Sequence, residues 1–451
     1  MLAALSLLFP YLFGLGCLSL LVSGGIRTEM RGYDASDGLQ LVAALLVLGV
    51  TLNHMIVLLL SDLKQALAVG GLLSLGGWIC LLTTRRRGVT TVVAPAWLVI
   101  FITLYLACLT VVLVEPVAGW DARSIWFFHG KMIFYHASFD AAGAWSNPLI
   151  GFSHTDYPKL VPVLSAQTAF VAGYWNEYLP KLGLVALLVP ALLAMIAILR
   201  DKRWQLFLLA IPLLFTNVWL KNGYMDGYLA LYAGLAAFYW GRWLDDCKRL
   251  DLVSGMLFTG IVLNLKNEGM LFGLIVACLT LLFMATKREK LSAYLAGRYE
   301  AMILFPLVIT SVLLWWRKKH LFGLKNDLQL GLHSLDRVQE RFADGSLKVI
   351  LERLYVSENV NLSFGIFLLS LTCVFAGRRR PGKGSLFCAL TGILYFSGIV
   401  TIYMATPFDL ISFHLPTGDR TMLPVHLILL AAAFSLHSPT DLKAPDKKHG
   451  S

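Results

Sequence analysis

Apolar runs of about 17 to 25 residues follow one another along this chain, and each is what an α-helix needs to cross a hydrocarbon layer roughly 30 Å thick. Few chains are so constrained. Of the 451 residues 57% are hydrophobic and only 14% charged, too little polar surface to keep such a chain dispersed in water. Period-2 alternation, the mark of a membrane barrel, is missing. The chain therefore reads as all-α, a polytopic transmembrane helical bundle of about 13 spans near 2–23, 38–60, 66–83, 91–114, 181–199, 204–220, 226–243, 252–266, 269–285, 300–316, 361–377, 385–404 and 422–438. Residues 1–438 form one domain, with 439–451 a disordered cytoplasmic tail.

The formal charge is +11, but the basic residues sit mostly in short connections. Topology and anionic lipid headgroups explain them, without nucleic acid. Placing Arg85 to Arg87, Arg200 to Arg203, Arg242 to Arg249, Lys287 to Lys290, Arg378 to Arg380 and Lys443, Lys447 and Lys448 in the cytoplasm fits one alternation of spans. Six of the seven cysteines lie in apolar runs and Cys247 has no CxxC partner, so neither a disulfide framework nor a zinc site is expected. The first run lacks a basic leader and a small-residue cleavage pattern, and reads as a retained span.

That alternation puts four polar clusters on the opposite, external side. The first is the long loop 115–160, rich in Trp, His, Asp and Lys, a mixture that suits a membrane–water boundary. The others hold Asp226, Glu268 and, late in the chain, Asp409, His414, Asp419 and Arg420. Two stretches strain the scheme. Segment 161–175 has to return to its own side, which its prolines and polar residues permit as a short, broken or re-entrant helix, or another span has to be re-counted. Loop 317–360 is external yet basic, and Leu347, Ile350, Leu351 and Leu354 recur at helical spacing, as in a helix lying on the membrane surface beside phosphate-bearing lipid.

Each candidate has two readings. Asp121 either N-caps the helix that follows or takes a proton from an acceptor hydroxyl. Asp156 and Lys159, taken singly, read as ordinary interfacial polar groups, but Lys159, at the start of an apolar segment, is also placed to bind a lipid phosphate. Glu268 is a charge close to hydrocarbon, a functional candidate by default, or else a helix-end partner of Lys266; Asp226 faces the same choice against capping. Arg420 either grips phosphate bidentately or anchors the membrane edge. His129, His136 and His154 lack metal-binding spacing.

The motifs WDARSIW, HTDYPKLVP, YMDGYLALY, KNEG and HLPTGDRTMLP, in that order over roughly 91–430, resemble the GT-C superfamily of integral-membrane glycosyltransferases that use polyprenyl-phosphate-linked sugars. The resemblance implies a GT-C-like fold with external interfacial helices, transfer to an acceptor hydroxyl with inversion, and a site facing the periplasm of a bacterial inner membrane. It implies Asp121 as general base and Lys159 or Arg420, with Arg123 in reserve, on the donor phosphate. Asp156, His154, Asp226, Glu268 and His414 would shape the sugar or acceptor site. The acceptor is a glycan, lipid or protein, and no cofactor is implied; the loop lacks a DxD motif, so a divalent metal is not indicated. Three spans precede the catalytic loop where the simplest family pattern has one. A lipid-linked saccharide flippase and an O-antigen-ligase-like transferase, the latter favoured by loop 317–360, are the alternatives.

Overall fold

The computed structural model describes residues 35–85, 95–198, 218–286, 299–326, 332–356, 360–377 and 380–436, with positions 10, 14, 213 and 216. Most of the expected spans 2–23 and 204–220, and the tail 439–451, lie outside the described residues. The other eleven coincide with helices: α1 Ala35–Leu60, α2 Leu63–Arg85, α3 Pro95–Leu113, α6 Val185–Ile198, α7 Asp226–Asp246, α8 Arg249–Leu265, α9 Glu268–Ala285, α10 Tyr299–Leu321, α13 Val360–Ala376, α14 Lys383–Ala405 and α15 Leu423–Leu436. Four others are α4 Phe127–His136, α5 Leu160–Ala172, α11 Leu332–Ala343 and α12 Ser346–Val356. Among the described residues there is no strand, only an isolated bridge between Asp62 and Ser138.

Five stretches are helical, long and apolar enough to cross a membrane: Ser36–Leu60, Leu179–Ile198, Glu268–Ala285, Lys383–Ala405 and Leu410–Leu436. This is a helical membrane protein. Helix α7 is central, packing along α8, α14 and α15, and its tyrosines join it to α6: Tyr232 donates to the Leu187 carbonyl at 2.8 Å and Tyr239 to that of Ala194 at 3.0 Å. Pro190 lies inside α6, where it removes a backbone donor and loosens the ladder around it.

Polar staples close the end of the bundle where α7 stops. Lys248 meets Asp37 at 2.5 Å, Gln40 donates to Asp251 at 2.8 Å, and the Gly384 amide donates to Asp245 at 3.0 Å. Each links two helices that are far apart in sequence.

The opposite end is built from loops. Helix α5 has 13 residues, about 20 Å of helix, too short to cross a bilayer. Beyond it the Val117 amide donates to the Glu177 carbonyl and the Lys181 ammonium to the Glu115 carbonyl, so the chain comes back to the end from which it set out. The re-entrant expectation for 161–175 accounts for this path.

Helices α11 and α12 lie in the basic loop, where the apolar spacing of Leu347 to Leu354 predicts a helix. Ile350 and Leu354 are fully buried and Leu347 half-buried, whereas Leu351 faces outward; the inner face of α12 packs on protein. Arg337 donates to the Ala405 carbonyl, and Arg341 to those of Tyr403, Met404 and Phe408, around the C-terminus of α14. There the helix leaves its last carbonyls unpaired and carries partial negative charge. Arg353 pairs with Asp419 and Lys348 with Glu352. Arg337 and Arg341 are thus turned onto the protein, while Lys348 stays on the exposed face of α12.

Candidate functional site

Five charged side chains from four separated parts of the sequence meet at the loop-built end. Asp121 stands at the head of a π-helical turn, Ala122–Trp126, and makes no capping hydrogen bond; its carboxylate pairs with Arg420 instead. Arg420 belongs to the single helical turn Gly418–Thr421, just before α15. Its guanidinium also lies over the Tyr224 ring, 5.1 Å from the centroid. The ring comes close to Gly119, where a Cβ would meet it at 2.1 Å, so only glycine lets the Asp121 loop approach this wall.

Asp226, the first residue of α7, makes an ion pair rather than a side-chain cap: Lys266 lies 2.9 Å away. Lys266 bridges to Glu268 at 3.1 Å, so the helix-end pair exists within a larger cluster. The buried Lys266 ammonium is held between the facing carboxylates of Asp226 and Glu268. Three carboxylates and two cations alternate here. The second oxygen of Glu268, Oε2, is buried with no hydrogen-bond partner, an expensive omission unless a ligand supplies the donor.

Asp156 borders this cluster. It is 1% exposed and accepts from Asn267 at 2.7 Å and from Lys319 at 3.3 Å, tying the loop, the α8–α9 turn and the tip of α10 together. Lys318, next along that tip, meets Asp140 at 2.7 Å. His414 meets the Thr406 hydroxyl at 2.9 Å and packs on the Tyr403 ring, whose hydroxyl meets Thr417 and Thr421. It supports the segment carrying Arg420. Arg123 is exposed.

Lys159 requires a correction. It has no exposed surface; its ammonium donates to the Thr155 and Tyr157 carbonyls at 2.8 and 2.9 Å and meets His129 Nδ1 at 3.1 Å. The Trp145 and Trp315 rings enclose it at 4.9 and 5.0 Å. A cation so enclosed, with its donors engaged, cannot reach a lipid headgroup, and Lys159 holds the loop together instead. His129, completing the network through Ser153 at 3.1 Å, is held well below the ordinary histidine range, first by burial and then by the Lys159 ammonium and His154. His154 stacks on Tyr157 and Tyr157 on Trp126, which places it in this layer too.

The sequence reading underrated Lys266 and missed Tyr224. Both lie beside acidic candidates, in KNEG and YMDGY, and the signal was the same short turns. Among the described residues no group of three or more His, Cys, Asp and Glu could hold a metal ion. Comparison with protein-family models, curated proteins and solved structures finds no match for this chain.

Proposed function

We propose that the chain is a GT-C-like glycosyltransferase of about 13 spans, moving a sugar from a polyprenyl-phosphate donor to an acceptor hydroxyl with inversion at the periplasmic face of a bacterial inner membrane. The observation that carries this reading is the contact between Asp121 and Arg420, a base and a phosphate-binding group brought together at the mouth of the bundle across 299 residues.

In the resting protein each masks the other. The guanidinium has five N–H donors, so a donor phosphate can take over part of its coordination and loosen Asp121. The acceptor oxygen then attacks the anomeric carbon and gives its proton to Asp121, while the sugar–phosphate bond breaks and its electron pair leaves on the polyprenyl phosphate. Fixed positive charge at Arg420 is strongest where that charge grows. Glu268 Oε2 is left to accept from a hydroxyl of the sugar or acceptor, and Lys266 keeps Asp226 and Glu268 apart in fixed positions. Lys159 has no role on the phosphate.

The test is Asp121→Asn in purified protein supplied with polyprenyl-phosphate sugars. We expect transfer to fall by roughly 10²–10⁴-fold with donor binding retained. Wild-type turnover would eliminate Asp121 as the base. Passage of intact lipid-linked saccharide through proteoliposomes without bond cleavage would favour the transporter.

A further inference from the structure

The connection that leads into α7, residues 221–225, packs against the turn carrying Asp121 at two glycines. Gly223 has φ +88°, a left-handed conformation that glycine adopts without strain, and a Cβ there would meet Ala122 and Phe127 at 3.0 Å. The Gly119 backbone closes on the Cδ2–Cε2 edge of the Tyr224 ring. Two further contacts fix that ring. The Tyr224 amide donates to the Asn222 side chain at 3.0 Å, an Asx turn that sets the backbone, and the Trp219 ring stands edge-on to it with centroids 5.3 Å apart. Tyr224 is therefore a rigid wall, whereas Arg420 reaches it at the end of a long side chain carried on a single helical turn.

Two kinds of contact hold the guanidinium. The one to Asp121 runs through a single nitrogen, Nη1. The one to Tyr224 involves the whole cation, whose central carbon lies 5.1 Å from the ring centroid, and attraction to a ring face depends on no particular N–H. A phosphate arriving at Arg420 competes for N–H groups and so with Asp121, but not with the ring. Asp226 is the second acid whose field acts on this cation, so a guanidinium loose from the ring has a wrong partner to turn to.

We infer that Tyr224 is a positioning residue for the transfer: it keeps Arg420 in place while the guanidinium exchanges Asp121 for the departing phosphate. This rests on the transferase reading above and adds a residue that acts through Arg420. The ring contact is present before and after the exchange, so it leaves donor affinity unchanged. It narrows the positions open to the cation while charge grows on the phosphate, and there a small displacement is costly.

Steady-state transfer by full-length protein in nanodiscs separates this role from donor binding. Tyr224→Leu, which loses the ring, is expected to lower kcat roughly tenfold with KM for the polyprenyl-phosphate sugar unchanged, and Tyr224→Phe should restore kcat. A raised KM at unchanged kcat, a wild-type rate in Tyr224→Leu, or a Tyr224→Phe variant as slow as Tyr224→Leu overturns the assignment. A second measurement needs no turnover. In protein carrying ¹⁵N-labelled arginine, the Arg420 Nε–H signal, identified by its loss in Arg420→Lys, should lie upfield because of the ring beneath it. It should stay upfield when polyprenyl phosphate is added and return to the ordinary arginine range in Tyr224→Leu. A signal that leaves the upfield position on binding overturns the proposal, since the ring would then hold only the resting state. Binding with the signal retained but no sugar transfer by the wild type sinks the transferase reading and keeps the ring contact, whereas transfer with the signal displaced does the reverse. A protein that does not bind polyprenyl phosphate overturns both.

Discussion

Lys266 is the residue on which the charged cluster turns. It faces Asp226 and Glu268 from a position 5% exposed, where removing one partner of a buried pair costs roughly 3–5 kcal/mol. Lys266→Met leaves two carboxylates facing each other, whereas Asp226→Leu leaves Lys266 still paired with Glu268. We therefore expect the lysine variant to lose distinctly more thermal stability in detergent than the aspartate variant. Equal losses would mean that Lys266 does not bridge the two acids. KNEG made Glu268 conspicuous as a charge at the edge of hydrocarbon. It gave no sign that Lys266 reaches Asp226 forty residues away, because an ion pair between helices depends on how they pack.

At the scale of elements, the loop 115–160 behaves as a layer laid on the bundle, fixed by Lys159, His129 and the tryptophans around them. His129 gives that layer a pH signature. In the unfolded chain it takes up a proton near pH 6.5, but in the folded protein only well below that. The unfolded state binds the extra proton in between, so stability is complete above about pH 6.5 and falls as pH drops through that value, by up to about 1.4 kcal/mol per unit. Thermal unfolding followed from pH 7.5 down to about 5 should show this decline, and His129→Gln should flatten it. An unchanged slope in the variant would remove His129 as its source. Spacing identified Lys159 as a cation at the start of an apolar segment, yet it carries no information about the aromatic rings that close over it. Helix α12 teaches the same lesson: its apolar face was legible from the 3.6-residue period, but what that face packs on is supplied by α13, α14 and the turn carrying Arg420, all contributed later in the chain.

For the whole molecule the arrangement predicts a sidedness. The charged cluster and loop 115–160 share one end, and the basic residues around Arg242 to Arg249 the other, which the positive-inside bias places in the cytoplasm. Leu149 is 82% exposed, and Leu149→Cys in a cysteine-free background should react with an impermeant maleimide from outside intact cells. Arg380→Cys should react only after permeabilisation. The reverse pattern would turn the site to the cytoplasm and end the periplasmic reading.

Segment lengths and hydropathy alone determined that the chain is a helical membrane protein and where eleven of its helices run, because burying a polar backbone in lipid forces local hydrogen bonding and so writes each span into its own stretch of residues. Which charges meet was decided only in three dimensions. Asp121 and Arg420 were candidates separately, and Lys159 looked as promising as either; packing paired the first two at the mouth of the bundle and enclosed the third. A side chain's chemistry is local, but its partner and its access to solvent are set by helices contributed from elsewhere in the chain.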